Sequence, residues 1–405
     1  MAEPASDDGH DVAHAAGRVR VLLLCESLAV TGGVERFVCR LGSDLAVLGM
    51  EVAVGSADAP GTPTAFPVSA PVRVLCGGES RSASGSRSGG AVAPAGDDRD
   101  LVATGRAWRL LKAQWRVGRA LGRLDGRERP DVVVLNGLVA ACAALLLRPS
   151  MARRAICCDH NHFGARSRFW QRLRAFVYPR VAAVVSLTAA DAPHFATLNA
   201  NTRVIANAST LTADEPALPT APQVLAVGRL QAQKGFDLLL RAWVGVVAAR
   251  PEARLRIVGA GPLAEELTAL AGELGVAASV DWLPPTDAIE ALYRGAAVFV
   301  LSSRYEGMPL ALLEAQALGV PAVAFDCPTG PRDIVTADTG VLVAAKDCSA
   351  LAAAIVSLLG DAPRRARMGR AAIARSRELF SPARHAESWA TLIRAVAIAA
   401  KGSRP

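Results

Sequence analysis

Residues Ser302–Phe325 read SSRYEGMPLALLEAQALGVPAVAF. The apolar run Val298–Leu301 just before them and Ala322–Phe325 at their end are short and strand-like, and the segment between has helical spacing. Strand, helix, strand is the unit of a parallel sheet. Pro309 suits the first turn of that helix, where a missing N–H costs nothing. The loop ahead of it carries Glu306 and Gly307, and Glu314 lies within the helix. The free N–H groups between Met308 and Ala311 sit at the positive end of the helix dipole, which makes an anion site. Carboxylates are poor phosphate ligands but accept hydrogen bonds from hydroxyls. Glu314 therefore suits a ribose and Glu306 a sugar. The competing structural reading is two glutamates that stabilise a helix start.

The same alternation runs outward in both directions. Val19–Leu24, Glu51–Gly55, Val72–Leu75, Val132–Leu135, Ala155–Cys158, Ala182–Ser186 and Arg203–Ala206 are strand candidates in the first half, with helical patterns between most of them. Ser209–Pro222 (STLTADEPALPTAP) is polar and Pro-rich, a linker. Strands then restart at Gln223–Val227, Arg254–Val258 and Val280–Leu283. Helical patterns close the chain over Ala350–Leu359, Pro363–Glu378 and Pro382–Ala400. The expected fold is α/β: two doubly wound, Rossmann-like domains facing across a cleft, spanning 19–208 and 223–380. A disordered tail (1–18), a flexible Ser/Gly/Arg-rich insertion (77–100) and a terminal helix (381–405) packing back on the first domain complete it.

Composition bounds the function. The 405 residues suit two or three domains, and 51% hydrophobic residues exclude a disordered chain. A net charge of +8 favours anionic partners. The eight cysteines are scattered without Zn-ligand spacing, which suits a reduced, cytoplasmic protein. Met1–Arg18 has no apolar core of a signal peptide. The longest apolar stretch, Val132–Leu147, is interrupted by Asn136 and Gly137 and falls short of the ~20 residues that span a bilayer.

Other motifs fall at strand ends. In VGRLQAQKGFD (Val227–Asp237), Arg229 and Lys234 enter a loop before a helix; two fixed cations there neutralise a diphosphate without a metal. Gly32 and Gly33 follow the first strand and allow close approach of a ligand to a helix N-terminus. CCDHNHFG (Cys157–Gly164) brings His160 and His162 to a strand end, where a hydrogen-bonding role toward substrate is expected rather than a metal site. Two further patterns compete. Gly259-Ala260-Gly261-Pro262-Leu263-Ala264 with Asp281 is a passable dinucleotide fingerprint and supports an NAD-dependent oxidoreductase. Asp98-Arg99-Asp100 is a DxD, read as solvated charge because it follows no strand.

Taken together, these residues resemble family 4 of the retaining glycosyltransferases, of the two-domain GT-B fold, in its bacterial exopolysaccharide and lipid-linked oligosaccharide branch. Glu306 and Glu314 correspond to the family's EX7E motif, Arg229 and Lys234 to its diphosphate-binding pair, and Gly32 and Gly33 to its Gly-rich loop. His160 matches the strand-end histidine and Asn207, in VIANAS, the interdomain turn. The resemblance implies a nucleoside diphosphate sugar donor, UDP-linked. Donor binding then falls to Gly32, Gly33, Asn207, Gly307, Met308, Pro309, Leu310 and Glu314, and chemistry to Arg229, Lys234, Glu306 and His160. It implies retention by front-face attack, with no metal and no cofactor. Three positions depart from the family: Pro284 stands where Gly is usual, Asp333 where Glu is common, and Cys76–Asp100 is an insertion. A degenerate binder without turnover is the non-enzymatic alternative.

The acceptor side is basic. Between Leu101 and Arg129, arginines such as Arg109, Arg116, Arg119 and Arg123 accompany Trp108, Leu111 and Trp115. Ser167–Arg180 adds Arg168, Arg172, Arg174 and Arg180 with Phe169, Trp170 and Phe176. Basic amphipathic helices with aromatics suit an anionic membrane surface and a glycan or lipid-linked acceptor at its inner face. The competing reading is that both helices pack on the first sheet. Nucleic-acid binding is not expected, because no recognition motif accompanies the charge.

Overall fold

Seven short, apolar strands set the first domain: β1 (Arg20–Leu24), β2 (Glu51–Ser56), β3 (Arg73–Cys76), β4 (Val132–Asn136), β5 (Ala155–Cys158), β6 (Ala183–Ser186) and β7 (Thr202–Val204). The computed structural model describes residues 18–78 and 107–402, and their side chains except those of 107–111. The strands are parallel in the order β3-β2-β1-β4-β5-β6-β7. β4 is buried at every position, as expected of a parallel strand covered on both faces. The second sheet comprises β8 (Gln223–Val227), β9 (Arg254–Val258), β10 (Val280–Leu283), β11 (Val298–Leu301), β12 (Ala322–Asp326) and β13 (Gly340–Ala344). Its order is β10-β9-β8-β11-β12-β13, again parallel. Each sheet therefore reverses direction of winding beside its first strand. Those switch points, β1/β4 and β8/β11, are where such sheets open a crevice for ligands.

The stretch Val132–Leu147 resolves into β4, a turn at Gly137 and the buried helix Leu138–Leu147. No helix among the described residues is long and apolar enough to cross a membrane. The helix Gly33–Val47 forms where Phe37, Val38, Leu41 and Leu45 recur at helical spacing, and all four are buried.

Several strand ends shift by a residue from the sequence reading, and three differences go further. β7 spans Thr202–Val204 rather than Arg203–Ala206, because the chain leaves the sheet to reach the interdomain turn at Asn207. β13, the apolar run Gly340–Ala344 (GVLVA), is not among the strands expected from sequence. Pro309 caps the helix Leu310–Ala317 from outside its first turn, with extended backbone at ψ 112°. Residues 1–17 of the expected tail, and 79–100 of the expected insertion with its DxD, lie outside the described residues.

Two strands of chain join the domains side by side. Ser209 N–H donates to Phe380 O at 3.2 Å. Arg377 donates to Ala213 O at 2.7 Å. After Phe380 the helix Pro382–Gly402 lies on the first domain. Trp389 is fully buried there with its ring 5.8 Å from Phe37, and Arg394 donates to Leu48 O at 3.4 Å.

Candidate active site

On the second domain, the loops after β8 and β11 are tied into one unit. Arg304 holds Asp237 with two hydrogen bonds of 2.8 and 2.7 Å, which lower the Asp237 pKa. Arg304 N–H donates to Gln233 O at 2.8 Å, and Gln233 Nε2 to Tyr305 O at 3.0 Å. This unit presents Lys234 to Glu306: Nζ lies 2.6 Å from Oε1. Ser303 Oγ donates to the same oxygen at 2.6 Å. Glu306 Oε2 has no hydrogen-bond partner among the described residues, so it is the acceptor left for a ligand. Arg229, at the end of β8, is exposed and forms no ion pair among them. Its charge reaches Glu35 across the cleft, where burial raises the Glu35 pKa and Arg229 partly offsets that rise.

Glu314 is buried in the helix that Pro309 opens. Its Oε1 accepts from Arg36 Nη1 at 2.5 Å and its Oε2 from Tyr293 Oη at 2.9 Å. Arg36 belongs to the first domain, and its Nη2 also donates to Thr210 Oγ1 at 2.9 Å. Burial raises the Glu314 pKa, and Arg36 and Tyr293 pull it back toward the charged form. A carboxylate offers about four acceptor positions, so two remain for a diol.

The first domain closes the other wall. Gly32 is extended and caps the helix Gly33–Val47; a Cβ on Gly33 would lie 3.6 Å from Leu310, so two helix starts face each other. A Cβ on Gly307 would stand 2.3 Å from His160 O, a separation only glycine permits. His160 Nε2 is 3.1 Å from Asn136 Oδ1, and its ring packs edge-on to Phe37 at 4.7 Å. Burial, then the neighbouring His385, lowers its pKa to about 4, so His160 is neutral at pH 7. His162 lies 5.3 Å from the Tyr305 ring, so both histidines border the cleft. Asn207 Nδ2 donates to Met308 O at 3.2 Å, while its buried Oδ1 has no partner among the described residues. The sequence-predicted residues thus converge on one cleft, with Asn207 and Met308 at its hinge.

Several residues at the cleft were not singled out by sequence: Arg36, Tyr293, Ser303, Asp191 and Thr329. Thr329 Oγ1 donates to Asp191 Oδ2 at 3.1 Å, a further tie between domains. Asp333, where the family pattern favours Glu, accepts from Ala189 N–H at 3.0 Å. Asp159 is not turned to the cleft: it accepts from Arg174 at 3.2 Å and from the Tyr178 hydroxyl, all three buried.

The dinucleotide-like glycines have another use. A Cβ on Gly259 would stand 1.9 Å from Gly228 O, and one on Gly261 would stand 2.4 Å from Leu230 O. They let the loop after β9 pack against the loop that carries Arg229. Asp281 pairs with Arg254 at 2.5 Å and Arg256 at 3.7 Å. The fingerprint is therefore used internally.

Two family models match the chain: Glycosyltransferase Family 4 over residues 31–210 and Glycosyl transferases group 1 over residues 210–375. The amylovoran biosynthesis glycosyltransferase AmsD of Erwinia amylovora is 33% identical over 228 residues, 53% of this chain and 64% of AmsD. The chain thus spans less than two thirds of that relative's length, and 32% and 39% of two others. Sucrose-phosphate synthase from Thermosynechococcus elongatus has the same fold, with a TM-score of 0.77, 20% identity, and coverage of 94% of this chain and 100% of that one. Anabaena HepE, solved with UDP and glucose, superposes with a TM-score of 0.67 at 18% identity, over 93% of this chain and 100% of HepE.

Two outcomes follow from the charges. A raised carboxyl pKa means that stability falls as pH rises through it, and losing Arg36 extends that window upward. Arg36→Met should cost about 1–3 kcal/mol, with a larger deficit at pH 8 than at pH 5 in denaturant titrations. A deficit independent of pH would contradict the ion pair. His385, buried, has its pKa lowered from 6.5 to about 4 by burial and then by Arg40. A lowered histidine pKa means stability is lost as pH falls from about 6.5 to 4, by about 3 kcal/mol per group. His385→Gln should visibly flatten the fall of the melting temperature over that range.

Proposed function

We propose that this chain, which belongs to the family 4 glycosyltransferases, moves a hexosyl group from a UDP-sugar to a glycan or lipid-linked acceptor in cell-surface polysaccharide or glycoconjugate assembly. The observation that carries this reading is Arg229: an exposed guanidinium without a carboxylate partner among the described residues, in a cleft with a helix start and two buried carboxylates. A diphosphate supplies the missing anion. The relatives support the same class, since AmsD is named for amylovoran biosynthesis and HepE was solved with UDP and glucose.

Each residue then has a chemical task. Arg229 and the N–H groups at the start of the helix Leu310–Ala317 would stabilise charge on the leaving diphosphate, the largest expected contribution to rate. Lys234 adds a second cation and fixes Glu306, whose free Oε2 would accept a hydroxyl of the sugar. Glu314 would take the ribose diol. Neutral His160 would offer a hydrogen bond, not a charge, to the sugar or acceptor. The family resemblance supports retention. The bond from the anomeric carbon to the phosphate oxygen breaks, with its electron pair passing to the diphosphate. The acceptor oxygen bonds to the same face, and its proton passes to a phosphate oxygen of the donor. Two protein cations do the neutralising, so the proposed reaction proceeds without a metal. Closure of the domains would exclude water.

The acceptor side faces an anionic membrane surface in this reading. In the helix Ala107–Glu128 the buried face is Val117, Ala120, Leu121 and Leu124, while Trp115 is 51% exposed with Arg119 over its ring. Phe169 and Phe176, on the helix Arg168–Val177, are 54% and 55% exposed, and Arg180 covers the Phe176 ring. Aromatics beside arginines suit a bilayer interface.

Arg229→Ala should lower turnover of a UDP-sugar by about two orders of magnitude or more in the presence of chelator; unchanged initial rates would refute the donor site. The protein should co-sediment with phosphatidylglycerol vesicles, less so at high salt and less for Phe176→Ala. Equal binding to phosphatidylcholine vesicles would remove the electrostatic argument.

A further inference from the structure

A second cavity lies outside the cleft. A groove of about 1370 Å³ runs between the open edge of the first sheet and the helix Pro382–Gly402. Its floor is apolar: Val181, Ile205, Leu392 and Val396 are all less than a tenth exposed. β7 is an edge strand, and Val204 on it is half exposed toward the groove. The helix side presents small residues, among them Ala383, Ala395 and Ala399, over about 24 Å of helix axis. Larger side chains there would fill the space, as protein interiors normally do.

The rim is cationic. Arg153, Arg180, Arg203 and Arg384 line it against the single carboxylate of Glu387. None of the four arginines has a carboxylate partner among the described residues. Arg203 donates to Thr202 O at 3.1 Å and Arg180 to Phe176 O, which are backbone carbonyls. One end of the groove reaches Ile205 and Arg384, beside Asn207 and His385, which line the small cavity next to Glu314. The Arg180 end meets the exposed Phe176.

We propose that this groove binds a monomeric lipid phosphate, with the hydrocarbon chain along the apolar floor and the phosphate on the arginine rim. A hydrocarbon floor rejects a free sugar or nucleotide, and an uncompensated set of guanidiniums selects a phosphate, which they bind through paired N–H groups. The site is independent of the donor cleft, so its test is readable whether or not UDP binds.

Dodecyl phosphate, titrated by calorimetry below its micelle concentration, should saturate one site. Inorganic phosphate and dodecyl maltoside should each bind at least tenfold more weakly, since each carries only half of the required chemistry. Ala395→Trp should abolish dodecyl phosphate binding by filling the groove. Arg203→Glu, on the exposed strand edge, should weaken it tenfold or more. Melting temperatures within a few degrees of the parent would show that both variants fold, and if one fails, the other carries the test. Dodecyl phosphate binding no tighter than inorganic phosphate, or unchanged in either folded variant, would overturn the proposal.

Discussion

A buried carboxylate cannot stay charged without a partner, and Glu314 finds its partner in the other domain. Arg36 crosses the cleft to reach it, Tyr293 takes the second oxygen, and Thr210 in the crossing segment steadies Arg36. Removing one member of a buried pair costs far more than never having formed it. At this contact the helix starts Gly33–Val47 and Leu310–Ala317 face one another. Gly307 against His160 and Thr329 against Asp191 follow the same line of contact.

The charges on the second domain are divided rather than pooled. Lys234 is committed to Glu306, and Arg304 to Asp237. Among the described residues, Arg229 has no ion-pair partner. In the proposed reaction Lys234 both fixes Glu306 and adds to the positive field, while the charge of Arg229 is open to the diphosphate. Glu35 opposite Arg229 lies in the same field and is pushed toward its protonated form by burial. The neutral state of His160 fits the same logic, since another cation in the wall would compete with Arg229 for the ligand.

Much of this was legible from residue order, and the reasons are local. Short apolar runs separated by helical spacing identify parallel strands, because a strand covered on both faces needs apolar side chains throughout. The eight-residue step from Glu306 to Glu314, with Pro309 between, places both carboxylates at one helix start. What escaped was non-local. Arg36 and Glu314 are 278 positions apart, and nothing in the first-helix pattern distinguishes Arg36 from a solvated arginine. The glycines at 259 and 261 imitate a dinucleotide loop because close loop packing and close ligand approach make the same demand on the backbone. Trp115 shares its helix with an apolar stripe, yet points away from the core, a distinction that only the neighbouring helices determine.

The proposed donor site places a nucleoside diphosphate in the cleft that both domains build, and a crystal structure with UDP decides it. The diphosphate is expected within hydrogen-bond distance of Arg229 and of the N–H groups at the start of the helix Leu310–Ala317, with the ribose hydroxyls on Glu314. Density for UDP at the Gly259–Gly261 loop, or a diphosphate remote from Arg229, would contradict it.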